Sequence, residues 1–446
     1  MLPVIALVGQ PNVGKSTLFN VLTKTRDALV VNLPGVTRDR QYGEAVYQDR
    51  KYLVVDTGGL SGEDAGIDGH IVQQALMAVE AADVVLFLVD GRQGITPGDE
   101  RIAQQLRQCG KPCVLVVNKT DGIDENIATG DFYAFGLGEP FAIAASHRRG
   151  VTALIGQLFE RELQHAPVVA AGPVDVATDD IKVAFIGRPN VGKSTLTNRL
   201  LGEERMVVYD MPGTTRDSVT VSYERRGQTY QLIDTAGVRR RGRVKETVEK
   251  FSVIKALQAI EASHVVVMVI DAVEGITEQD MHILGFALDA GRGLVLAVNK
   301  WDGLTDMHKQ KVKADLKRRL DFIDNFVNFH FISALHGTGV GHLFKSVNEA
   351  FRNATQDMPT ALLTRILAQA VLDHAPPMHK GRRIKLRYAH CGGHLPPCII
   401  VHGRQAEALP DSYRRYLINY FRTALKLQGT PIRVLFRQGE NPFDRK

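Results

Sequence analysis

Cysteine is scarce in this chain. The four cysteines, Cys109, Cys113, Cys391 and Cys398, include no CxxC pair and no disulfide-framework spacing. That excludes a cysteine-paired zinc site and a disulfide-stapled secreted scaffold, and it fits reduced structural thiols in a cytoplasmic protein. Long apolar runs are missing too. VVLFLVD (84–90) and VVVMVI (265–270) are the longest, far short of the ~20 residues of a membrane-spanning helix. The opening MLPVIALVGQ lacks the basic start and small-residue cleavage site of a signal peptide.

What is present is ordinary in amount and unusual in arrangement. The chain has 446 residues, 44% hydrophobic and 23% charged, enough for two or three domains that each bury a core. The formal net charge is +6, unevenly spread. From Lys380 onward there are 14 Lys or Arg against 4 Asp or Glu, a balance of +10, so the first 379 residues carry −4. A basic tail on a mildly acidic body points to a polyanionic partner, against the plainer reading of a solvated basic face.

The chain also repeats itself. GQPNVGKST (9–17) returns as GRPNVGKST (187–195), PGVTRD (34–39) as PGTTRD (212–217), and DTGG (56–59) as DTAG (234–237). Each of these pairs is 178 positions apart (187 against 9, 212 against 34, 234 against 56). VNKTD (117–121) returns as VNKWD (298–302), and IAASH (143–147) as ISALH (332–336), with slightly wider offsets. Kept order with drifting spacing is the mark of a duplicated domain with tolerant surface loops. In each copy continuous apolar strands alternate with helix-length segments, which predicts a parallel sheet covered on both faces, with ligands beyond the carboxyl ends of its strands. The expected class is α/β. The expected boundaries are domain one at 1–165, an acidic linker at 166–180, domain two at 181–356, and a small α+β domain at 357–446.

GxxxxGK[ST] after a strand is a phosphate-cradling loop: Gly9, Gln10, Pro11, Asn12, Val13, Gly14, Lys15 and Ser16 in copy one, and Gly187, Arg188, Pro189, Asn190, Val191, Gly192, Lys193 and Ser194 in copy two. Lys15 and Lys193 are expected on the β- and γ-phosphates, and Ser16 and Ser194 on Mg²⁺. NKxD selects guanine, since Asp121 and Asp302 can accept from its N1–H and N2 amine. Asn118, Lys119, Thr120, Asn299, Lys300 and Trp301 shape that pocket. Thr37 and Thr215 are placed to complete the metal shell and act in catalysis with the two lysines. Asp56 and Asp234 are placed to hold the metal through water. Thr57, Gly58, Gly59, Thr235, Ala236 and Gly237 line the γ-phosphate side, a switch pattern that distinguishes triphosphate from diphosphate.

The order of these motifs resembles a Ras-like GTPase of the translation-factor-related class. Two tandem copies with a small C-terminal domain resemble the Der (EngA) family of bacterial ribosome-assembly GTPases, over nearly the whole chain. The tail, IKLRYAHCGGHLPPCIIVHG through PIRVLFR, is similar to that family's KH-like domain. The resemblance implies two GTP/GDP sites, Mg²⁺, a switch acting on the large (50S) ribosomal subunit and its rRNA, no membrane, and a monomer. A Ras-type enzyme carries a water-orienting Gln just after DxxG; here Leu60 and Val238 stand there. The resemblance implies potassium-assisted hydrolysis instead, with Asn12 and Asn190 as candidate potassium ligands.

The copies differ. Ser333 and Gly337 are matched by Ala144 and Arg148, and the basic VRRRGRVKE (238–246) stands where copy one has the acidic LSGEDAGID (60–68). The tail reads as a helix (360–374), strands (383–389 and 398–402), a helix (411–426) capped by Asp411 or Ser412, and a strand (431–437). It has no GxxG between helices, so the KH grip on RNA does not carry over; Arg and Lys contacts to phosphate are the expectation. Tyr413, Tyr416, Tyr420 and Phe421 fall near helical spacing and are expected to pack. The rival function is the GTPase component of a tRNA-modification system, but no second catalytic constellation stands outside the nucleotide motifs. A membrane-remodelling GTPase would need a segment that is not evident.

Overall fold

The computed structural model describes residues 2–23, 42–48, 50–57, 79, 82–163, 180–202, 221–233, 253–379 and 382–438. The chain divides into two compact units, the first reaching Gly172 and the second beginning at Pro173.

In the first unit a six-stranded sheet runs in the order β2-β3-β1-β4-β5-β6. The strands are β1 (Val4–Val8), β2 (Tyr42–Tyr47), β3 (Arg50–Asp56), β4 (Val84–Asp90), β5 (Cys113–Asn118) and β6 (Phe141–Ala142). β1, β3, β4, β5 and β6 pair in parallel, as continuous apolar runs require when both faces are covered. β2 is an antiparallel edge strand on β3. Every residue of β4 is buried. The helix Pro97–Cys109 starts with a capping box, in which Thr96 and Asp99 satisfy each other's backbone N–H.

The second unit repeats the design. Its sheet order is β12-β11-β10-β7-β9-β8, from β7 (Ile181–Ile186), β8 (Val221–Arg225), β9 (Gln228–Ile233), β10 (Val265–Asp271), β11 (Gly293–Asn299) and β12 (Asn328–Phe331). The same capping box recurs, as Thr277 and Asp280 on the helix Glu278–Asp289.

The tail belongs to the second unit. β15 (Lys385–Gly393) pairs antiparallel with β16 (Cys398–Arg404), which pairs in parallel with β17 (Arg433–Gln438). Before them runs a short antiparallel pair, β13 (Met378–His379) with β14 (Arg382–Arg383). The helices Thr360–Asp373 and Asp411–Ala424 pack on one face of the three-stranded sheet around Leu363, Leu367, Leu417 and Phe421. Tyr413 and Phe421 are buried in that core. The hydroxyls of Tyr413, Tyr416 and Tyr420 donate to His374 O, Ala370 O and Asp373 Oδ2. The expected cap is corrected: Pro410 is the N-cap, with no side-chain cap bond, and Asp411 and Ser412 lie inside the first turn. Pro410 O instead accepts from the amides of Tyr413 and Arg414. All four cysteines are free. Among the described residues no helix is long and apolar enough to cross a membrane.

Candidate functional site

In copy one β1 ends at the phosphate loop, β3 at Asp56, β4 at Asp90 and β5 at Asn118. The loop closes onto the helix Lys15–Thr23. The Lys15 side chain is buried, and its Nζ donates to Gly9 O (2.8 Å) and Gln10 O (2.7 Å). Burial lowers its pKa and nearby Asp56 opposes that. Lys193 makes the same pair of bonds, to Gly187 O (2.8 Å) and Arg188 O (2.6 Å). Ser16 Oγ donates to Asp56 Oδ2 at 2.7 Å, so the two expected metal-side residues of copy one converge across 40 positions of chain. A hydroxyl and a carboxylate are hard oxygen donors of the kind Mg²⁺ takes. Asn12 and Asn190 are exposed and left-handed (φ 65 and 62).

The asparagine of NKxD does more than line a pocket. Asn118 Nδ2 donates to Val13 O (2.8 Å), and its Oδ1 accepts from the Ala145 amide (3.0 Å). Asn299 repeats both, to Val191 O (2.7 Å) and from Ala334 N (2.8 Å). Each buried amide therefore brackets the phosphate loop to the loop that follows β6 or β12. A Cβ on Gly14 would sit 2.2 Å from Asn118 Nδ2, and one on Gly192 would sit 2.2 Å from Asn299 Nδ2. Glycine is required there by the side chain that crosses it.

Lys119 Nζ pairs with Asp90 Oδ2 at 2.6 Å, and Lys300 Nζ with Asp271 Oδ2 at 2.5 Å. Asp90 and Asp271 were missed by motif reading, although both close an apolar strand at the same place in their copy. Their other oxygens accept from the amides of Arg92 and Val273 and so fix the turn. Val13 and Val191 are core residues, while Thr57 and Thr120 spend their hydroxyls on Leu7 O and Ile143 O. Trp301 packs on Phe331, ring centroids 4.2 Å apart. Pro11 is exposed and Pro189 half-buried at the loop's rim.

The copies hold their guanine-side aspartates differently. Asp121 is gripped by Arg92, whose Nε also donates to Lys119 O (3.2 Å). In copy two Val273 stands in place of Arg92 and is exposed, while Asp302 faces His336 Nε2 at 3.1 Å. The phosphate loops differ too. Arg188 reaches Asp280 Oδ2 (2.9 Å) and Glu274 Oε2 (2.7 Å), tying the loop to the capping box. Burial works against its charge, but the two carboxylates outweigh it and raise its pKa. Gln10 lies against Gly98 instead. Arg148 takes the left-handed backbone (φ 57) that Gly337 takes in copy two (φ 81). Thr37, Gly58, Gly59, Leu60, Thr215, Asp234, Thr235, Ala236, Gly237, Val238 and the basic run after it, and most of the linker, lie outside the described residues.

Comparison with known proteins gives matching results. The family described as "50S ribosome-binding GTPase" matches residues 4–119 and again 182–300. The family described as "KH-domain-like of EngA bacterial GTPase enzymes, C-terminal" matches residues 358–437. GTPase Der of Vibrio vulnificus is 55% identical over 473 aligned residues, covering 100% of this chain and 95% of the relative. GTPase Der of Idiomarina loihiensis is 57% identical over 458, with the same coverage of both chains. Among solved structures, the G domain of the T. maritima FeoB iron transporter aligns with 38% of this chain and 97% of its own, at 26% identity and a TM-score of 0.27.

Proposed function

This chain belongs to the GTPase Der family, and from that premise we propose that it is a double switch acting in assembly of the large ribosomal subunit, hydrolysing GTP at two sites. The observation that supports this best is the repetition of one bracket. In both copies a buried Asn ties the phosphate loop to the guanine-side loop, and the loop's Lys donates to two of its carbonyls. A function that needed one nucleotide would not require the second bracket to be kept.

In this reading Lys15 and Lys193 leave their carbonyl partners for the β- and γ-phosphates. Asp121 and Asp302 accept from guanine. Ser16 with Asp56, and Ser194 with Asp234, hold Mg²⁺, which supplies charge neutralisation on the phosphates; Thr37 and Thr215 complete that shell with triphosphate bound. Asn12 and Asn190 offer oxygen to a potassium ion, in place of the absent Gln. We place the domains at 1–165, 181–356 and 357–446, and in this reading the tail's basic excess meets rRNA phosphate.

The test is GTP turnover by the whole chain in potassium and in sodium, with Lys15→Ala and Lys193→Ala variants. Potassium-stimulated release of phosphate that one variant abolishes assigns the faster copy. Equal rates in the two salts would remove the potassium role. Failure of the whole chain to co-sediment with large subunits in a non-hydrolysable GTP analogue would remove the assembly reading.

A further inference from the structure

Among the described residues the two copies carry opposite charge at one place in the fold, between the NKxD loop and the last strand of the sheet. Copy one fills it with residues 122–140, which carry Asp124, Glu125, Asp131 and Glu139 and no Lys or Arg. Copy two fills it with residues 303–327, six Lys or Arg against four Asp, and all six cations lie with two of the Asp on the longer helix Asp306–Arg319, DMHKQKVKADLKRR. Both copies keep the same strand order and the same Asn bracket. Neither fold nor nucleotide chemistry therefore asks for these cations.

The helix spends little of its charge internally: Arg319 Nη1 donates to Ile276 O (2.8 Å). Only Leu316 is buried along it. Lys309 pairs with Asp306, and Arg318 and Arg319 share Asp315, in exposed contacts that contribute little. The helix dipole favours Lys317, Arg318 and Arg319 in the last turn; it gives no reason for Lys309, Lys311 and Lys313. Lys311 and Lys317 have no carboxylate partner among the described residues and are exposed. Lys311 and Arg318 are seven residues apart, two turns of helix or ~10.5 Å along its axis on one side. Lys313 Nζ lies over the rings of Trp301 (5.7 Å) and Phe331 (5.1 Å), linking this face to the NKWD loop.

We infer that the helix Asp306–Arg319 is a phosphate-binding face of the second GTPase domain, and that its occupant is rRNA. The inference rests on the large-subunit reading above and names a contact surface for it outside the tail. Charge complementarity commits it to a polyanion, and copy one, with the opposite charge at the same place, is the internal control.

The test compares the whole chain with a Lys311→Gln/Lys317→Gln/Arg318→Gln variant, which replaces cations by neutral residues of similar helix propensity. A tail variant, Arg382→Gln/Arg383→Gln/Arg387→Gln, removes as many cations elsewhere. Affinity for naked rRNA purified from large subunits is measured against salt concentration. The log–log slope of the helix variant is expected to fall by about 2, near 0.7 to 0.9 for each lost contact. RNA binding is expected to change Trp301 fluorescence in the wild type and in the tail variant, and not in the helix variant. A helix-variant slope equal to wild type overturns the inference. So does loss of binding to intact large subunits with naked rRNA binding unchanged, which would assign the face to a ribosomal protein. If the whole chain ignores large subunits yet binds naked rRNA with a helix-dependent slope, the assembly reading fails and the phosphate face stands.

Discussion

At the scale of single residues, Asn118 and Asn299 have the most exposed consequences. NKxD is legible in sequence as a guanine reader, but its Asn carries two buried main-chain bonds that no spacing reveals, because the partners are backbone atoms more than a hundred positions away on one side. Asn118→Ala leaves Val13 O and the Ala145 amide unpaired, at about 1–3 kcal/mol each. Copy one should lose nucleotide affinity while copy two keeps its own, read by GDP titration with Lys193→Ala and Lys15→Ala as backgrounds. Gly14→Ala should do the same, since its methyl must displace the Asn118 amide. Arg92 is the copy-specific case. It steadies Asp121 from solvent, so Arg92→Ala should weaken GDP about two- to fivefold in copy one, as expected of an exposed ion pair. Val273→Arg in the Lys15→Ala background should strengthen GDP binding in copy two. No change in either variant would mean that Asp121 needs no such support.

Elements were legible where burial is two-sided. β3, β4, β5, β10 and β11 are continuous apolar runs ending in a polar residue, and with β1 and β7 they pair in parallel inside each sheet. β2 was not legible: YGEAVY is an edge strand, paired on one side only, and its pattern carries little apolar signal. The helix after Pro410 was legible but its cap was not, because Pro410 O takes the first amides and the polar side chains of Asp411 and Ser412 are left outside. The turn into β10 carries a pH consequence. His264 is buried, accepts from the Lys182 amide through Nδ1 (3.2 Å), and stacks on Phe351. Burial, with Lys182 and Arg292 nearby, pushes its pKa down from 6.5 to about 4. The fold thus prefers the neutral ring. Its contribution is intact above pH 6.5 and is lost as pH falls towards 4, because the unfolded chain takes up a proton that the fold refuses. The total is about 3 kcal/mol. Urea unfolding followed at Trp301, the one tryptophan, should show a shallower loss of stability between these limits in His264→Gln than in wild type.

On the scale of the whole molecule, the duplication and the basic tail were legible, and the seating of the tail on the second copy was not. That seating is largely main chain to main chain. Leu294 N donates to Gly429 O (2.7 Å), Gly429 N to Phe326 O (2.6 Å), and Leu395 N to Ala354 O (3.1 Å). Such bonds leave no mark in residue type. The side chains that join them are few: Arg433 reaches Asp289 O (2.6 Å), and Arg422, its pKa lowered to about 10 by burial, lies 4.4 Å above the Phe326 ring. All of this gathers near the starts of β11 and β12, whereas Asn299 and the guanine loop stand at the end of β11. Seven residues of strand, ~23 Å, separate the two. Gly429 has φ 72, and a Cβ there would meet the Ala350 Cβ at 2.6 Å. Gly429→Val should therefore unseat the tail and lower the thermal midpoint of the second unit by several degrees, while GDP affinity at Trp301 stays at the wild-type value. A buried parallel strand is stiff, and a stiff strand transmits a shift at its start to its end only if it moves as a body. Altered GDP affinity in Gly429→Val would show that β11 does so, and would make the tail's seat the lever by which a bound ribosomal partner is felt at the second nucleotide.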